Sequence, residues 1–365
     1  MDGERDRLLD EVVHPAIAAY RNAVATDVAP HGRPADRAGL CWLPDGDELY
    51  ARFVRAETTT DRSPDELHRT GLDVMARLHE EYATVGERVF GTRDVTEILT
   101  RLRDDPALRW RDGEELLEAA RDAIRRAEAV APQWFGKLPS QQCTVEAVPA
   151  DEAPGAPGAY YFPPAMDGSR SGIYFANTHR AEERARYNSE TTAFHEAVPG
   201  HHFQLTLAQE LTDLPLLRRV IPLTAYAEGW GLYSERLADE MGLFTGDVDR
   251  LGMLSMDSMR AARLVVDTGL HAKGWSRQQA VDYLRANTAL PQVEIDTETD
   301  RYIAAPGQAL AYMVGRLEIQ RLRASAEESL GDRFDIRSFH DAVLGDGALP
   351  LGVLDEVIRG WIRDR

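Results

Sequence analysis

Apolar residues recur at helical spacing over most of the chain, starting with residues 4–28, where Pro15 interrupts the pattern. The stretch SPDE at 63–66 is typical of a helix start: serine at the N-cap, proline at the first position and glutamate completing a capping box. This helix is predicted to reach about residue 83. The remaining predicted helices cover residues 113–130, the segment from about residue 181 that contains residues 195–202, and residues 222–242, 246–269, 276–288, 306–330 and 350–363.

The pattern changes between residues 138 and 178. The runs CTVEAVP and GIYFANT are short and β-type, and the segment between them is rich in glycine, proline and alanine. The sequence therefore predicts a mainly α protein with a small β-sheet insert around residues 140–178. We expect a single domain over residues 1–365. It would comprise N-terminal helices (1–137), the β insert (138–178) and the helices that carry a candidate metal site (179–365).

Composition narrows the function classes. The formal net charge of −19 argues against a nucleic-acid partner, because phosphate binding needs clustered cations. No run of about 18 apolar residues occurs, so no membrane partner is expected. The two cysteines match no metal or redox spacing, and the charged start MDGERDRLLDE lacks the apolar region of a signal peptide. We therefore expect a cytoplasmic location, whereas the sequence does not predict the oligomeric state.

The stretch HEAVPGHH, residues 195–202, resembles the zinc-binding HExxH pattern with altered spacing. On a regular helix His201 would lie roughly 120° away from the face of His195, and His202 would lie about 10.5 Å along the axis. Pro199 and Gly200 permit a local bulge. A bulge that absorbs two residues would bring His201 to the second ligand position, and one that absorbs three would bring His202. The smaller distortion favours His201.

A third ligand is available downstream in TAYAEGWGLYSE, where Glu228 and Glu235 are seven residues apart and share a helix face. The surrounding residues are apolar, and a buried carboxylate is costly unless it is paired or bound to a metal. Two histidines and one glutamate leave a fourth zinc position for water, which is the arrangement of catalytic rather than structural sites. The alternative for these residues is an ordinary polar helix face without a metal.

Several separated motifs together resemble one known family. They are RAETTTDRSPDELHRTGLDVM, AYYFPPAMDGSRSGIYFANT, HEAVPGHHFQ, AYAEGWGLYSE and PGQALAYMVGRLEIQRLR, and they occur in the family's order from about residue 45 to the C-terminus. That family is the domain-of-unknown-function 885 family, of which the chain resembles an N-terminally short member. The resemblance implies a zinc-dependent peptidase with a zincin-like helical fold.

The family is in turn distantly similar to Taq-type carboxypeptidases, whose HExGH and HES motifs lie on long helices. By this resemblance Gly200-His201 matches the final Gly-His, Glu228 matches the glutamate of HES, and Glu235 matches a glutamate seven residues later. The comparison supports His201 as the second ligand.

Roles follow for the residues around such a site. Glu196 follows the first ligand and is the candidate general base. Tyr312, in PGQALAYMVGR, is the candidate donor to the oxyanion, with a core tyrosine as the alternative. His202 is expected to hydrogen-bond to a ligand or to contact substrate, and Glu235 to orient His195 or His201.

The strand GIYFAN, residues 172–177, is a candidate edge strand that would pair with extended substrate. Tyr174 and Asn177 lie on it. Arg170 and Arg316 are candidates for binding a substrate carboxylate through a bidentate pair. For Arg170 the alternative is a role in closing its own loop.

Together these residues predict a zinc-dependent hydrolase that cleaves a peptide or a related small amide through a metal-activated water. Carboxypeptidase action is the narrower expectation, because it depends on one of the two arginines. Two alternatives stay open: a biosynthetic metalloenzyme of the same scaffold that acts on a small molecule, and a non-catalytic binding protein. The sequence does not distinguish zinc from another divalent metal.

Overall fold

The computed structural model describes residues 2–365, and it is mainly helical, as the sequence predicts. The α-helices are α1 (Asp2–Leu8), α2 (His14–Ala23), α3 (Gly46–Thr58), α4 (Pro64–Phe90), α5 (Val95–Asp104), α6 (Gly113–Val130), α7 (Ser189–Glu196), α8 (His201–Glu210), α9 (Leu216–Val220), α10 (Thr224–Glu240), α11 (Asp247–Ala272), α12 (Arg277–Asn287), α13 (Gln292–Ala304), α14 (Ala311–Leu330), α15 (Ile336–Leu344) and α16 (Leu351–Arg363). The strands are β1 (Cys143–Ala147), β2 (Ala159–Phe162) and β3 (Gly172–Ala176).

Local sequence signals account for the best-predicted helices. The side chain of Ser63 accepts from the backbone N–H of Glu66, and the Glu66 carboxylate accepts from the backbone N–H of Ser63, which completes the predicted capping box of α4. This helix continues seven residues beyond the expected end, to Phe90, and Gly91 follows as its C-cap in the left-handed conformation (φ 71°). Helix α6 has the predicted bounds. The helices α3, α5, α13 and α15 were not predicted.

The N-terminal segment is helical, as predicted, and two short π-helical stretches, Leu9–Val13 and Val24–Val28, flank α2. Residues 3–31 are exposed throughout. The buried apolar core begins further along the chain and forms one cluster from Leu40 to Ile358, which draws on all three predicted segments. No helix within residues 2–365 combines the length and apolar character that crossing a membrane requires.

The three strands form one sheet in the order β1–β3–β2. Strand β3 runs parallel to β1 and antiparallel to β2, with Tyr174 opposite Val145 on one side and Tyr161 on the other. The predicted edge strand is therefore wrong: residues 172–176 form the central strand, whose backbone groups are already paired on both sides. Strand β2 was not predicted, because it follows a glycine- and proline-rich stretch.

Four long helices position the candidate site. Helix α10 packs along α14, and α11 packs along α4. The two backbones of the first pair approach closely where Gly229 meets Gly315, because a Cβ at Gly229 would lie only 2.5 Å from the Gly315 Cα. Glu228 is thereby held beside the start of α14.

Candidate metal centre

The motif HEAVPGHH contains a break between two helices. Helix α7 ends at Glu196, four residues without helical structure follow, and α8 begins at His201. The predicted two-residue bulge within one helix is therefore wrong. The Trp230 Nε1–H on α10 donates to the Pro199 carbonyl at 2.9 Å. A Cβ at Gly200 would lie 1.8 Å from the His195 carbonyl oxygen, so only glycine fits this turn.

The break brings three potential ligands together. One ligand atom each from His195, His201 and Glu228 lies within 4.8 Å of the others. The two histidine Nε2 atoms lie 3.4 Å and 3.5 Å from the same oxygen, Oε2 of Glu228. These distances are long for a good hydrogen bond. They match the separation of roughly 3.4 Å between two ligands bound tetrahedrally at about 2.1 Å from one zinc ion.

The electrostatics of this group also fit a cation. Burial opposes protonation of His195, yet hydrogen bonds with Glu228 and Glu235 raise its pKa to about 10. Burial would raise the pKa of Glu228, but the two histidines hold it well below its ordinary value. The group therefore retains an extra proton at neutral pH when it holds no metal. The same negative potential favours a divalent ion.

Glu235 is hydrogen-bonded to His195, one of the two histidines that the sequence predicts it to orient. Its Oε1 lies 2.7 Å from Nδ1 of His195, which leaves Nε2 of that ring facing Glu228. The Ser234 hydroxyl donates to the Phe194 carbonyl at 3.1 Å, which ties α10 to α7. Gly231 leaves space for the imidazole, since a Cβ there would lie 2.7 Å from Nε2 of His195.

Glu196 occupies a different environment from the three ligand candidates. It is half-buried, and within residues 2–365 no hydrogen bond or ion pair engages its carboxylate. Burial, and then the charge of Glu196, raise the pKa of Tyr174, so the tyrosine stays protonated. Tyr174 lies on the central strand, where its side chain is buried.

His202 does not join the ligands. Its Nε2 lies 3.0 Å from the Gln141 carbonyl, and its Nδ1 lies 2.8 Å from the Tyr161 hydroxyl. Burial lowers the pKa of His202 to about 4, so the ring is neutral and connects α8 with the sheet. The adjacent His201 is the histidine whose nitrogen lies with His195 and Glu228. Within the described residues, the polar contacts of the His202 ring are with Gln141, Tyr161 and Thr206 and not with His195, His201 or Glu228.

Three of the four expected substrate-binding side chains have structural partners instead. The Arg170 guanidinium donates to the carbonyls of Ser171 and Pro163, which matches the loop-closing alternative. The buried Asn177 amide donates to the carbonyls of Ala153, Ala156 and Pro157 and fixes their loop. Arg316 is buried and paired with Asp257. The Asn177 amide is thus committed to its own loop, whereas Arg316 keeps an Nε–H without an acceptor, so substrate binding by Arg316 stays a prediction.

Tyr312 lies at the start of α14 and is partly buried. The guanidinium carbons of Arg263 and Arg260 lie 4.5 Å and 5.8 Å from the centre of its ring. Within the described residues its hydroxyl has no hydrogen-bond partner. Neither Ser234 nor Arg260 was singled out from the sequence. Nothing in their local sequence distinguishes them, because their roles depend on the neighbouring helices.

A cavity of about 340 Å³ lies elsewhere in the molecule. Its lining includes Lys137, Leu207, Glu210 and Asp341, and it contains none of the candidate site residues. Cavity size therefore gives no guide to the chemistry, and the ligand geometry defines the candidate site.

A family model described as "Bacterial protein of unknown function (DUF885)" matches residues 2–358. The structure is similar to that of a protein described as a putative lipoprotein from Colwellia psychrerythraea, with a TM-score of 0.93 and 36% sequence identity over 98% of this chain and 62% of that one. A putative lipoprotein of unknown function from Shewanella oneidensis shares the fold at a TM-score of 0.78 and 20% identity, over 93% of this chain and 63% of that one. The chain thus spans less than two thirds of either protein. No curated protein matches it.

Proposed function

The chain belongs to the DUF885 family of bacterial proteins of unknown function, and we propose from its site that it is a zinc-dependent hydrolase of peptide or related amide bonds. The observation that carries the proposal is the convergence of His195, His201 and Glu228 within 4.8 Å, next to the unpaired carboxylate of Glu196. A metal-ligand set adjoining an uncommitted base is the arrangement that metal-assisted hydrolysis requires.

His195 and His201 would hold the ion through Nε2, and Glu228 through a carboxylate oxygen. Three protein ligands leave a coordination position open, as catalytic zinc sites do. When bound, zinc supplies a Lewis acid that acidifies water and polarises a substrate carbonyl. Two histidines and one carboxylate also suit other divalent ions, so the same residues would hold a related metal.

Glu196 would provide the proton transfers. Its free carboxylate would accept a proton from the attacking water and pass it to the leaving amine. Glu235 would keep the Nδ1 proton of His195 in place, so that Nε2 presents its lone pair. Tyr174, which the sequence assigns to substrate binding, would contribute its protonated hydroxyl as a hydrogen-bond donor.

The proposal is tested by zinc content and hydrolysis together. Metal-free protein supplied with zinc is expected to bind one ion per chain and to cleave members of a library of acylated dipeptides. Glu196→Gln should retain the zinc and lose turnover by about 10²–10⁴-fold. Glu240→Gln, at the far end of α10, is the matched control and should keep full activity. Equal turnover by wild type and Glu196→Gln would exclude this mechanism.

The cellular location forms a separate part of the proposal. We propose a cytoplasmic location, whereas the similar Colwellia and Shewanella proteins are described as putative lipoproteins. Hydrolysis at this site is compatible with the cytoplasm and with attachment to a membrane. Fractionating the native cells into cytoplasm and membranes, followed by detection of the chain, distinguishes the cytoplasmic proposal from attachment to a membrane.

A further inference from the structure

Arg260, on α11, is a buried cation without an anionic partner. The residue is 6% exposed, and its Nε–H has no acceptor. Its one hydrogen-bond contact among the described residues is with the thioether sulfur of Met256, at 3.3 Å. Arginine does not lose its proton in proteins, so the charge persists despite burial. An isolated buried charge is costly, so an anion bound beside Arg260 would stabilise it.

The neighbouring carboxylates cannot supply that anion. Asp257 is already shared by Arg236 and Arg316. Glu298 is shared by Arg263 and Arg301. Each of these carboxylates thus faces two guanidinium groups before Arg260 is counted. Two more buried donors, Nη1 of Arg263 and Nε of Arg316, also lack acceptors. Arg236 also pairs with Glu81. With Arg260 counted, five arginines thus face three carboxylates, an excess of positive charge within a protein of net charge −19.

Tyr312 relates these arginines to the candidate metal centre. Its ring lies beside Arg260 and Arg263, and among the described residues no hydrogen bond engages its hydroxyl. Tyr312 precedes Arg316 by four residues, about one helical turn. The backbone N of Arg316 would lie 3.0 Å from a Cβ at Gly229, the residue after the metal-ligand candidate Glu228. The Tyr312 hydroxyl therefore lies on α14 about one helical turn before the point where this helix contacts Gly229, next to the candidate ligand Glu228.

We propose that Arg260 and the Tyr312 hydroxyl form a carboxylate-binding subsite, so that the substrates of this protein carry a free carboxylate close to the cleaved amide. The word substrate here rests on the proposed function, whereas carboxylate binding does not. A carboxylate offers two oxygens, which suits a guanidinium with unused donors and an adjacent hydroxyl. The subsite takes over the task that the sequence analysis gave to Arg170, which donates to the carbonyls of Ser171 and Pro163, and to Arg316, which is paired with Asp257.

Binding to metal-free protein tests the subsite without any turnover. The probes are N-benzoylglycine and its amide, N-benzoylglycinamide, compared by isothermal titration calorimetry. Metal-free protein is used because the carboxylate would otherwise coordinate zinc. Wild type should bind the acid at least tenfold more tightly than the amide. Arg260→Gln should remove that preference and leave binding of the amide unchanged.

Two milder variants distinguish loss of the subsite from a folding defect in Arg260→Gln. Tyr312→Phe removes one hydroxyl and should weaken binding of the acid several-fold, and Arg260→Lys should restore part of the preference. Arg321→Gln, which removes an exposed arginine from α14, is the matched control and should bind as wild type does. Wild-type protein that binds acid and amide equally, or Arg260→Gln that keeps the preference, would overturn the subsite.

The outcomes separate this inference from the proposed function. Carboxylate preference in the metal-free protein, together with no hydrolysis after zinc loading, would support the subsite and exclude the hydrolase. Hydrolysis that depends on Glu196 but treats acids and amides alike would support the hydrolase and exclude the subsite.

Discussion

The Nδ1 atom of His195 lies 2.7 Å from Oε1 of Glu235, and both side chains are almost completely buried. Glu235 is thus hydrogen-bonded to the far side of the ring whose Nε2 faces Glu228 and His201. Its second oxygen, Oε2, has no partner among the described residues. A carboxylate in this position fixes the ring tautomer and increases the basicity of the ligand nitrogen.

Replacing Glu235 should therefore weaken metal binding without removing a ligand. Glu235→Gln can still accept the Nδ1 proton of His195, but it loses the negative charge. We expect zinc affinity to fall by about 10–100-fold, measured by competition with a chromophoric chelator. Glu240→Gln, on the same helix, should keep the wild-type affinity. An unchanged dissociation constant in Glu235→Gln would show that Glu235 does not support the ligand.

The adjacent histidines should give opposite results. His201→Ala removes a ligand nitrogen and should abolish stoichiometric zinc binding. His202→Asn breaks the contacts with Gln141 and Tyr161, so we expect one zinc per chain and a loss of about 1–3 kcal/mol in the free energy of unfolding. Metal analysis and urea titration measure the two effects. Loss of zinc in His202→Asn with retention in His201→Ala would reverse the assignment.

Much of this arrangement could be predicted from the sequence, because it depends on local patterns. The capping box of α4 and the amphipathic repeat of α6 involve residues a few positions apart. The candidate ligand set could be predicted from residue types and spacing, since Pro199 and Gly200 permit a departure from a regular helix. The form of the interruption, a break rather than a bulge, depends on the contact of Trp230 with Pro199.

The substrate-binding residues could not be predicted in this way. Asn177 and Arg316 belong to sequence motifs, yet both side chains are engaged by residues distant in sequence. The central position of residues 172–176 depends on β2, a strand of four residues in a segment with loop-like composition. The unpaired charge of Arg260 becomes visible only when the partners of every neighbouring arginine are known.

Gly231 provides a test of how tightly the first ligand is packed. A Cβ at this position would lie 2.7 Å from Nε2 and Cε1 of His195, so Gly231→Ala should displace the ring. We expect weaker zinc binding and a loss of about 1–3 kcal/mol of stability. Gly352→Ala is the matched control, because its Cβ would meet nothing within 4 Å. The control should be neutral or stabilising by up to about 1 kcal/mol, since alanine favours helix. Normal zinc affinity in Gly231→Ala would contradict the close packing.

Three buried histidines should make the stability of the protein depend on pH. Burial lowers the pKa of His202 and His271 to about 4 and that of His340 to about 3. Each ring lies between a backbone carbonyl and a donor: Gln141 O and Tyr161 OH for His202, Tyr302 O and Leu40 N–H for His271, and Trp134 O and Tyr233 OH for His340. A neutral ring, with one donor and one acceptor, satisfies both neighbours, whereas a protonated ring does not.

The unfolded chain therefore takes up protons near pH 6.5, before the folded protein does. The stabilisation is complete above that pH and is lost as the pH falls towards 4, by about 1.4 kcal/mol per pH unit for each histidine. Urea unfolding between pH 7.5 and 4.5 measures the slope. His271→Gln can keep both hydrogen bonds without titrating. It should therefore reduce the pH dependence of the free energy of unfolding by the contribution of one histidine, about 1.4 kcal/mol per pH unit. His14→Gln, on the exposed N-terminal helix, should leave it unchanged. A His271→Gln protein with the wild-type slope would show that His271 does not contribute to the acid sensitivity.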